Sequence, residues 1–263
     1  MRESKLKAKL RSGQPVLGTM IMDLPLPEVV RAIGRAGFDF VIVDNEHAPT
    51  SLERNVGLYR EAQACGLDLL VRVPDAEYHL IARTLDAGAD GVMVPRVETA
   101  EQAQAAVAAA KYPPQGRRGC GQRPVYTQGL PVPLDEYTSH LNANTTVIIQ
   151  VESVQAVADI GRLARVPGVD VALIGPADLT ISLGVPGQVE HELMLQAVAR
   201  VAAGCREAGI ASGIHWSDPA YLRRAQQAGM SVIMCQTDLG LFAQGAAKVM
   251  AELGWGERGQ ARG

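Results

Sequence analysis

The chain has 263 residues, of which 47% are hydrophobic and 20% charged, and its 25 Lys+Arg and 28 Asp+Glu give a formal net charge of −3. This near balance provides neither a basic stripe for nucleic acid nor an acidic tail, so a small molecule is the expected partner. Cys65, Cys120, Cys205 and Cys235 are widely spaced, which argues against a structural zinc site or a disulfide scaffold. The sequence has neither a secretory signal nor an apolar run near the ~20 residues that cross a bilayer, so a soluble cytoplasmic protein is expected.

Short aliphatic runs alternate along the chain with amphipathic stretches, and eight such pairs can be counted. The predicted strands are Val16–Ile21, Phe40–Asp44, Leu69–Val73, Gly91–Pro95, Thr146–Glu152, Val171–Gly175, Ile210–His215 and Ser231–Gln236. The predicted helices are Leu26–Ala36, Leu52–Ala64, Tyr78–Leu85, Ala100–Lys111, Val154–Leu163, His191–Glu207, Pro219–Gln227 and Leu241–Leu253. Glycines able to form left-handed caps follow five of these helices, at Gly37, Gly66, Gly88, Gly209 and Gly229.

The predicted strands are apolar throughout, as in FVIVD and TVIIQVE, which is typical of parallel strands buried on both faces. Eight strand–helix units in about 250 residues match the usual size of a TIM barrel. An open doubly wound sheet would carry GxGxxG after its first strand, and none follows Val16–Ile21. We therefore predict one α/β domain over residues 1–263, a (β/α)8 barrel. The segment Pro113–Asn144 is predicted to be irregular, and to be functional or interfacial for that reason.

Polar residues collect where the predicted strands end. Strand two ends in DNEH at 44–47, strand three contains Arg72, strand five ends in QVE at 150–152, and strand six leads into GPAD at 175–178. Because TIM barrels build their active sites at the carboxyl ends of the strands, this rim is predicted to carry the chemistry. The segment KYPPQGRRG at 111–119 could bring cationic groups over the same pocket.

Two carboxylates on neighbouring strand ends, Glu152 and Asp178, suit a hard divalent ion such as Mg²⁺ or Mn²⁺. The alternative is that each carboxylate caps a helix or pairs with an arginine. Glu152 is less easily explained in this way, because it ends an otherwise apolar strand. Zinc is disfavoured, since no His or Cys accompanies the pair at ligand spacing.

His47 and Arg72 are the candidate proton-transfer and charge-stabilising groups. His47 can move a proton near neutral pH, although a lone histidine is more often structural. Arg72 lies inside the apolar run LLVRVP, so it requires an anionic partner, either a substrate oxyanion or a carboxylate such as Asp44 or Glu46. These two interpretations of Arg72 remain open at this point.

The ordered segments VDNEHA at 43–48, RVP at 72–74, LDAGADGVMVPRV at 85–97, KYPPQGRRG at 111–119, QVES at 150–153 and IGPADLTISLG at 174–184 resemble one family. They are similar to the metal-dependent pyruvate-type aldolases of the aldolase/citrate lyase family, which include 4-hydroxy-2-oxoheptanedioate aldolase and 2-keto-3-deoxy sugar acid aldolases. The resemblance covers residues 16–253. It implies a TIM barrel of the phosphoenolpyruvate/pyruvate type, usually hexameric, with the last helix exchanged between subunits.

The resemblance also implies roles for individual residues. Glu152 and Asp178 match the metal ligands, for Mg²⁺, Mn²⁺ or Co²⁺. Matches to the substrate-binding residues are Gln150, Ala177 and Asp178, the last two through their backbone amides. Arg72 matches the enolate-stabilising arginine and His47 the proton-transfer histidine. Asp86 matches an aspartate paired with that histidine, which it could reach only across a subunit interface, and Asp44 matches an aspartate that orients groups near the aldehyde-derived hydroxyl.

The implied function is a class II aldolase that cleaves a 4-hydroxy-2-oxo acid to pyruvate and an aldehyde through a metal-bound pyruvate enolate. A malyl-thioester lyase or an oxaloacetate decarboxylase would use the same enolate, and a non-catalytic barrel that binds a keto acid is a further alternative. The loop at 121–130 and the strand-eight sequence CQTD depart from the family pattern, so the aldehyde is not assigned.

Overall fold

The computed structural model describes residues 1–255, and its eight strands close into a barrel in which every neighbouring pair is parallel. This confirms the predicted TIM-type α/β barrel. The strands are β1 Val16–Ile21, β2 Phe40–Asp44, β3 Asp68–Arg72, β4 Gly91–Val94, β5 Thr146–Val151, β6 Val171–Ile174, β7 Ala211–Trp216 and β8 Val232–Thr237. Each predicted strand end lies within one residue of the observed one. The predicted domain extends to residue 263, and residues 256–263 lie outside the described part.

The helices follow the strands around the outside of the barrel. They are α1 Lys5–Arg11, α2 Pro27–Arg35, α3 Leu52–Cys65, α4 Tyr78–Ala87, α5 Ala100–Ala110, α6 Pro124–Thr127, α7 Leu134–Asn144, α8 Val154–Ala158, α9 Ile160–Leu163, α10 Pro176–Ser182, α11 Glu192–Ala208, α12 Pro219–Gln227 and α13 Asp238–Glu252. The five predicted cap glycines all have positive φ, as at Gly66, where φ is 69°.

Several helical segments differ from the sequence predictions, and α1 and α10 are not among the predicted helices. The prediction that 113–144 is irregular is wrong, because α7 and the single turn α6 lie within it. Proline and glycine before residue 134 obscured the helix pattern that starts there. The helix predicted at 154–163 is split at Asp159 into α8 and α9. The predicted last helix begins three residues earlier, at Asp238, because the side chain of Thr237 caps the N–H of Gly240.

The interior of the barrel follows from the two-residue period of the strands. Alternate residues such as Phe40, Ile42 and Leu70 pack inside, while Val41 and Val43 pack against the helices. Leu6 of α1 joins the interior cluster and is 1% exposed. Helix α1 is therefore packed against the amino-terminal end of the barrel, and the opposite end remains available for a site.

Helix α13 is the exception to the packed outer layer. Asp238 is its one buried residue, and Phe242, Val249 and Met250 are exposed. Nearby, the outer faces of β1 and β8 border a cavity of about 490 Å³, whose lining includes Leu17, Leu222, Ile233 and Cys235. None of the described helices is both long and apolar enough to cross a membrane.

Candidate active site

Every second residue of a strand points into the barrel. In the middle of the barrel these inward residues are aliphatic, and at the carboxyl ends of the strands they are polar. Positions two residues after the inward Ile42 and Leu70 are Asp44 and Arg72, and the same step beyond Ile148 gives Gln150. Above this layer lies a cavity of about 290 Å³. Its polar lining includes His47, Arg72, Gln150, Glu152, Asp178, His215, Ser217, Gln236 and Thr237.

Arg72 is held by two carboxylates from the end of β2. Its Nε and Nη2 donate to Oδ1 and Oδ2 of Asp44 at 2.8 and 2.7 Å, and its Nη1 lies 3.3 Å from Oε2 of Glu46. Burial of Asp44 disfavours its ionised form, but the hydrogen bonds and charge of Arg72 outweigh this effect and lower the pKa of Asp44. The carboxylate interpretation of Arg72 is therefore correct, and Arg72 still lines the cavity.

Asp44 itself is completely buried, and its Oδ1 also accepts the N–H groups of Glu46 and His47 at 3.0 and 3.4 Å. It does not line the cavity. Its observed contacts orient Arg72 and the turn that carries His47. The histidine is half-exposed, and its Nε2 lies 3.7 Å from Oε2 of Glu46.

Glu152 faces the cavity from the end of β5. Its Oε2 accepts the backbone N–H of Arg96 at 3.1 Å, and Arg96 adopts a left-handed conformation with φ of 53°. Burial, reinforced by the negative charges of Asp178 and Glu46, raises the pKa of Glu152 to about 7. A Cβ at Gly175 would lie 2.5 Å from Oε1 of Glu152, so only glycine leaves room for this carboxylate.

The donor set around Glu152 fits a hard divalent cation. Asp178 supplies a second carboxylate in the same cavity, and the amide oxygen of Gln150 is buried without a hydrogen-bond partner in the described chain. Mg²⁺ is bound in proteins by one or two carboxylates together with waters and substrate oxygens. No cluster of three or more His, Cys, Asp or Glu with metal-binding geometry occurs among residues 1–255. Two carboxylates and a neutral oxygen are thus what the chain offers.

The remaining predicted site residues lie in two different places. Ala177 and Asp178 are in the first turn of α10, where backbone N–H groups have no intrahelical acceptor, and both line the cavity. Asp86 is in the last turn of α4 and accepts from Nη2 of Arg118 at 2.6 Å. Asp86 does not line the cavity of its own chain, which is consistent with the expectation that it could reach His47 only across a subunit interface.

The expectation that the 111–119 segment brings cations over the pocket is wrong for this chain. Nζ of Lys111 donates to the carbonyl oxygens of Asn142 and Thr145, at the amino-terminal end of β5. Arg118 is buried between Asp86 and the ring of Tyr112. Lys111 and Arg118 are thus satisfied away from the cavity, and Arg117, the third cation of the segment, is exposed and does not line the cavity either.

Five polar residues of the site were missed in the sequence: Arg96, His215, Ser217, Gln236 and Thr237. His215 and Gln236 end two predicted strands, and each follows an inward-facing residue, Gly213 or Met234, by two positions. This two-residue spacing is a signal in the sequence that could have identified them. The role of Arg96 depends on its backbone conformation. No feature of the sequence indicates it.

Comparison with known proteins places this geometry in a family. Residues 21–245 match the sequence profile of the HpcH/HpaI aldolase/citrate lyase proteins. The chain belongs to this family. The hydroxypyruvate/pyruvate aldolase of Roseobacter denitrificans is 31% identical over 246 residues, covering 94% of this chain and 95% of the relative. The 4-hydroxy-2-oxovalerate aldolase of Novosphingobium aromaticivorans is 35% identical over 266 residues, covering 99% and 97%.

A solved structure of the same family agrees with the fold. The HpcH/HpaI aldolase from Desulfitobacterium hafniense superimposes with a TM-score of 0.89 and 34% identity, over 94% of this chain and 96% of that one. The family membership inferred from the sequence motifs is confirmed.

The raised pKa of Glu152 predicts a pH-dependent stability. In metal-free protein, ionisation of Glu152 costs more in the folded state than in the unfolded state, so its contribution to stability is lost as the pH rises from 4.5 to about 7. We therefore compare the free energies of unfolding of Glu152→Gln and the unsubstituted protein by denaturant titration. The difference between them, variant minus unsubstituted, should rise by ~2–3 kcal/mol as the pH increases from 4.5 to 8. Glu77→Gln, at the exposed start of α4, is the control. A constant difference across this range would contradict the interpretation.

Proposed function

We propose that the protein is a class II aldolase that reversibly cleaves a 4-hydroxy-2-oxo acid to pyruvate and an aldehyde. The observation that carries this proposal is the convergence of the carboxylates Glu152 and Asp178, the guanidinium of Arg72 and the imidazole of His47 on one cavity. Relatives named as pyruvate and hydroxy-oxo acid aldolases support it. The reaction needs an electrophilic 2-oxo group, charge stabilisation and a base, and the cavity offers a residue for each.

Pyruvate would bind between β5 and β6. Its carboxylate would accept from the backbone N–H groups of Ala177 and Asp178, with the amide of Gln150 alongside. Glu152 and Asp178 would hold the divalent ion, Mg²⁺, Mn²⁺ or Co²⁺, which when bound would act as a Lewis acid toward the 2-oxo group. Gly175 keeps the wall between these residues free of a side chain.

Arg72 would stabilise the negative charge that develops on the enolate oxygen of pyruvate. Its guanidinium is fixed by Asp44 before substrate arrives, and preorganised charges of this kind usually contribute more to catalysis than any other single effect. Asp44 would thus act as a positioning residue for Arg72. Arginine is suited to this task because its planar fork binds two oxygens at once.

His47 would take the proton from the 4-hydroxyl group in cleavage and return it in synthesis. The imidazole is half-exposed at the cavity and can reach a bound substrate. Asp86 of a neighbouring subunit would complete this pair, because Asp86 is one-third exposed at the end of α4 and does not reach the cavity of its own chain. A Schiff base has no support, because Lys111 is bound to carbonyl oxygens away from the cavity and Lys248 lies on α13.

We further propose that the chain forms a homo-oligomer, a hexamer as in the family, through exchange of α13. The exposed apolar residues Leu239, Phe242 and Val249 form one stripe on this helix. The apolar cavity beside β1 and β8 would receive the α13 of a second copy. Such an exchange would hide apolar surface that the single chain leaves in water.

Metal removal tests the proposed function directly. Prolonged chelation should abolish cleavage of 4-hydroxy-2-oxo acids, and Mg²⁺, Mn²⁺ or Co²⁺ should restore it, as measured by release of pyruvate. Full activity of metal-free protein would overturn the proposed mechanism. Activity only toward malyl thioesters or oxaloacetate would assign one of those reactions instead, and metal binding without turnover would indicate a non-catalytic barrel.

Variants of His47 and Arg72 should separate the two chemical steps. His47→Ala should reduce aldol cleavage ~10²-fold or more and spare more of the decarboxylation of oxaloacetate, which has no hydroxyl proton to remove. Arg72→Lys should damage both reactions, because a point charge does not replace the guanidinium fork. Steady-state kinetics with both substrates measure this difference, and His79→Ala on the outer face of α4 is the control. Near-normal cleavage by folded His47→Ala would assign the proton transfer to another group.

A charge on α13 should disrupt the proposed assembly. Phe242→Asp places a carboxylate in the apolar stripe, and we expect a smaller species than the unsubstituted protein in light scattering after size-exclusion chromatography. Gln244→Asp, on the other face of α13, should leave the assembly intact. Equal masses for the two variants would contradict helix exchange.

A further inference from the structure

The ends of β7 and β8 form a wall of the cavity that the proposed mechanism does not use. His215 and Gln236 come from these strand ends, and Ser217 and Thr237 follow them. Around the barrel, these strands adjoin β6, which leads to Asp178. Pyruvate held at Glu152 and Asp178 would therefore lie beside this wall, and the wall is left as a surface that the aldehyde can contact.

One hydrogen bond of the His215 ring determines which ring nitrogen carries the proton. Nε2 lies 2.9 Å from the backbone carbonyl oxygen of Gln236, and a carbonyl can only accept, so Nε2 carries the hydrogen. Burial and the charge of Arg72 lower the pKa of His215, against the opposing effects of its hydrogen bond to Gln236 and the charge of Asp44, and so favour the neutral ring. Nδ1 is then a hydrogen-bond acceptor. Nδ1 has no partner within residues 1–255 and is not sealed from solvent, so its lone pair is available at the cavity.

Gln236 holds His215 in this orientation through an unusual backbone. It has φ of 63°, which is uncommon for a residue with a side chain. Its carbonyl oxygen also accepts from Oγ1 of Thr19 at 3.2 Å, and its Nε2 donates to the carbonyl of Ser217 at 3.0 Å. Left-handed residues of this kind cluster at functional sites, where the surroundings hold them in place. The acceptor on His215 is thus preorganised on two strands.

The charges in the cavity limit what the aldehyde can carry. Arg72 is the one arginine or lysine in the described lining of the cavity, and Asp44 and Glu46 already pair with it. Arg96, which borders Glu152 beside the cavity, is paired with Glu46 and Asp75. An aldehyde with its own carboxylate would meet no unpaired cation in that lining. The apolar lining of the cavity includes Met20 and Met22 at the end of β1 and Trp216 at the end of β7, which can accept a short uncharged carbon chain.

We propose that His215 selects a short, uncharged aldehyde that bears a hydroxyl group on the carbon next to the carbonyl. The hydroxyl donates a hydrogen bond to Nδ1 of His215, while His47 serves the hydroxyl formed from the carbonyl itself. His215 is thus a specificity residue for the aldehyde half of the substrate. This inference rests on the proposed aldolase function.

A pair of isosteric aldehydes tests the assignment in the direction of synthesis. Glycolaldehyde has the hydroxyl, and propionaldehyde has a methyl group in its place. We expect kcat/KM of the unsubstituted protein, loaded with Mn²⁺ and supplied with pyruvate, to favour glycolaldehyde by ~10-fold or more, because the analogue leaves a polar group unpaired. His215→Leu should reduce this ratio by about the same factor, and His215→Gln, which keeps an acceptor, should retain most of it. His79→Leu, an exposed histidine on α4, is the matched control.

The outcomes separate this inference from the proposed function. Exchange of the pyruvate methyl protons with deuterated water, followed by NMR, reports the enolate step alone. Absence of exchange in the metal-loaded protein would refute the aldolase proposal itself. Exchange together with equal kcat/KM for the two aldehydes, or an equal loss for both in His215→Leu, would overturn only the role of His215 and make it a structural residue. A preference for succinic semialdehyde over glycolaldehyde would likewise overturn it.

A second measurement does not depend on turnover. In metal-free protein labelled with ¹⁵N, the ring of His215 should show the neutral form protonated at Nε2, assigned by comparison with the His215→Gln spectrum. A ring protonated at Nδ1 would have no acceptor to offer and would overturn the proposal.

Discussion

The site depends on the ion pair between Arg72 and Asp44. A buried guanidinium at the end of β3 is tolerated because the end of β2 places a carboxylate directly beside it, with two hydrogen bonds shorter than 3 Å. Removal of one partner from such a buried pair typically costs ~3–5 kcal/mol, since the other charge is left alone. The pair also closes the top of the aliphatic interior. The layer above it can therefore be polar without opening the core to water.

Glu152 contrasts with the pair of Arg72 and Asp44, because no positively charged side chain is paired with its carboxylate in the described chain. Asp178 and Glu46 add to the negative potential around it, and Gln150 contributes a buried oxygen with no partner in the described chain. A site that is strained in this way gains most when a cation binds. The two sides of the cavity therefore differ in charge. Arg72 provides a fixed positive charge on one side, and the carboxylates Glu152 and Asp178 on the other side favour the binding of a cation.

The wall formed by the ends of β7 and β8 differs from both of these sides, because its polar groups are uncharged and can form hydrogen bonds. A histidine whose proton is fixed by a backbone carbonyl offers an acceptor without adding charge. This arrangement distinguishes His215 from His47, which lies half-exposed beside a carboxylate. Two histidines in one cavity can thus serve different hydroxyl groups. In the proposed mechanism, substrate choice would fall to the end of β7 and proton transfer to the turn after β2.

The sequence by itself determined the barrel, because eight apolar strands and their period follow from local pattern, and it located most of the site because barrel chemistry collects at strand ends. It also named Arg72 as a residue in need of an anion. Only the tertiary structure decided between a substrate oxyanion and a carboxylate, and it places both Asp44 and Glu46 on the guanidinium. The backbone of Arg96, the tautomer of His215 and the burial that raises the pKa of Glu152 arise from contacts between distant segments, and such contacts leave no periodic trace in the sequence.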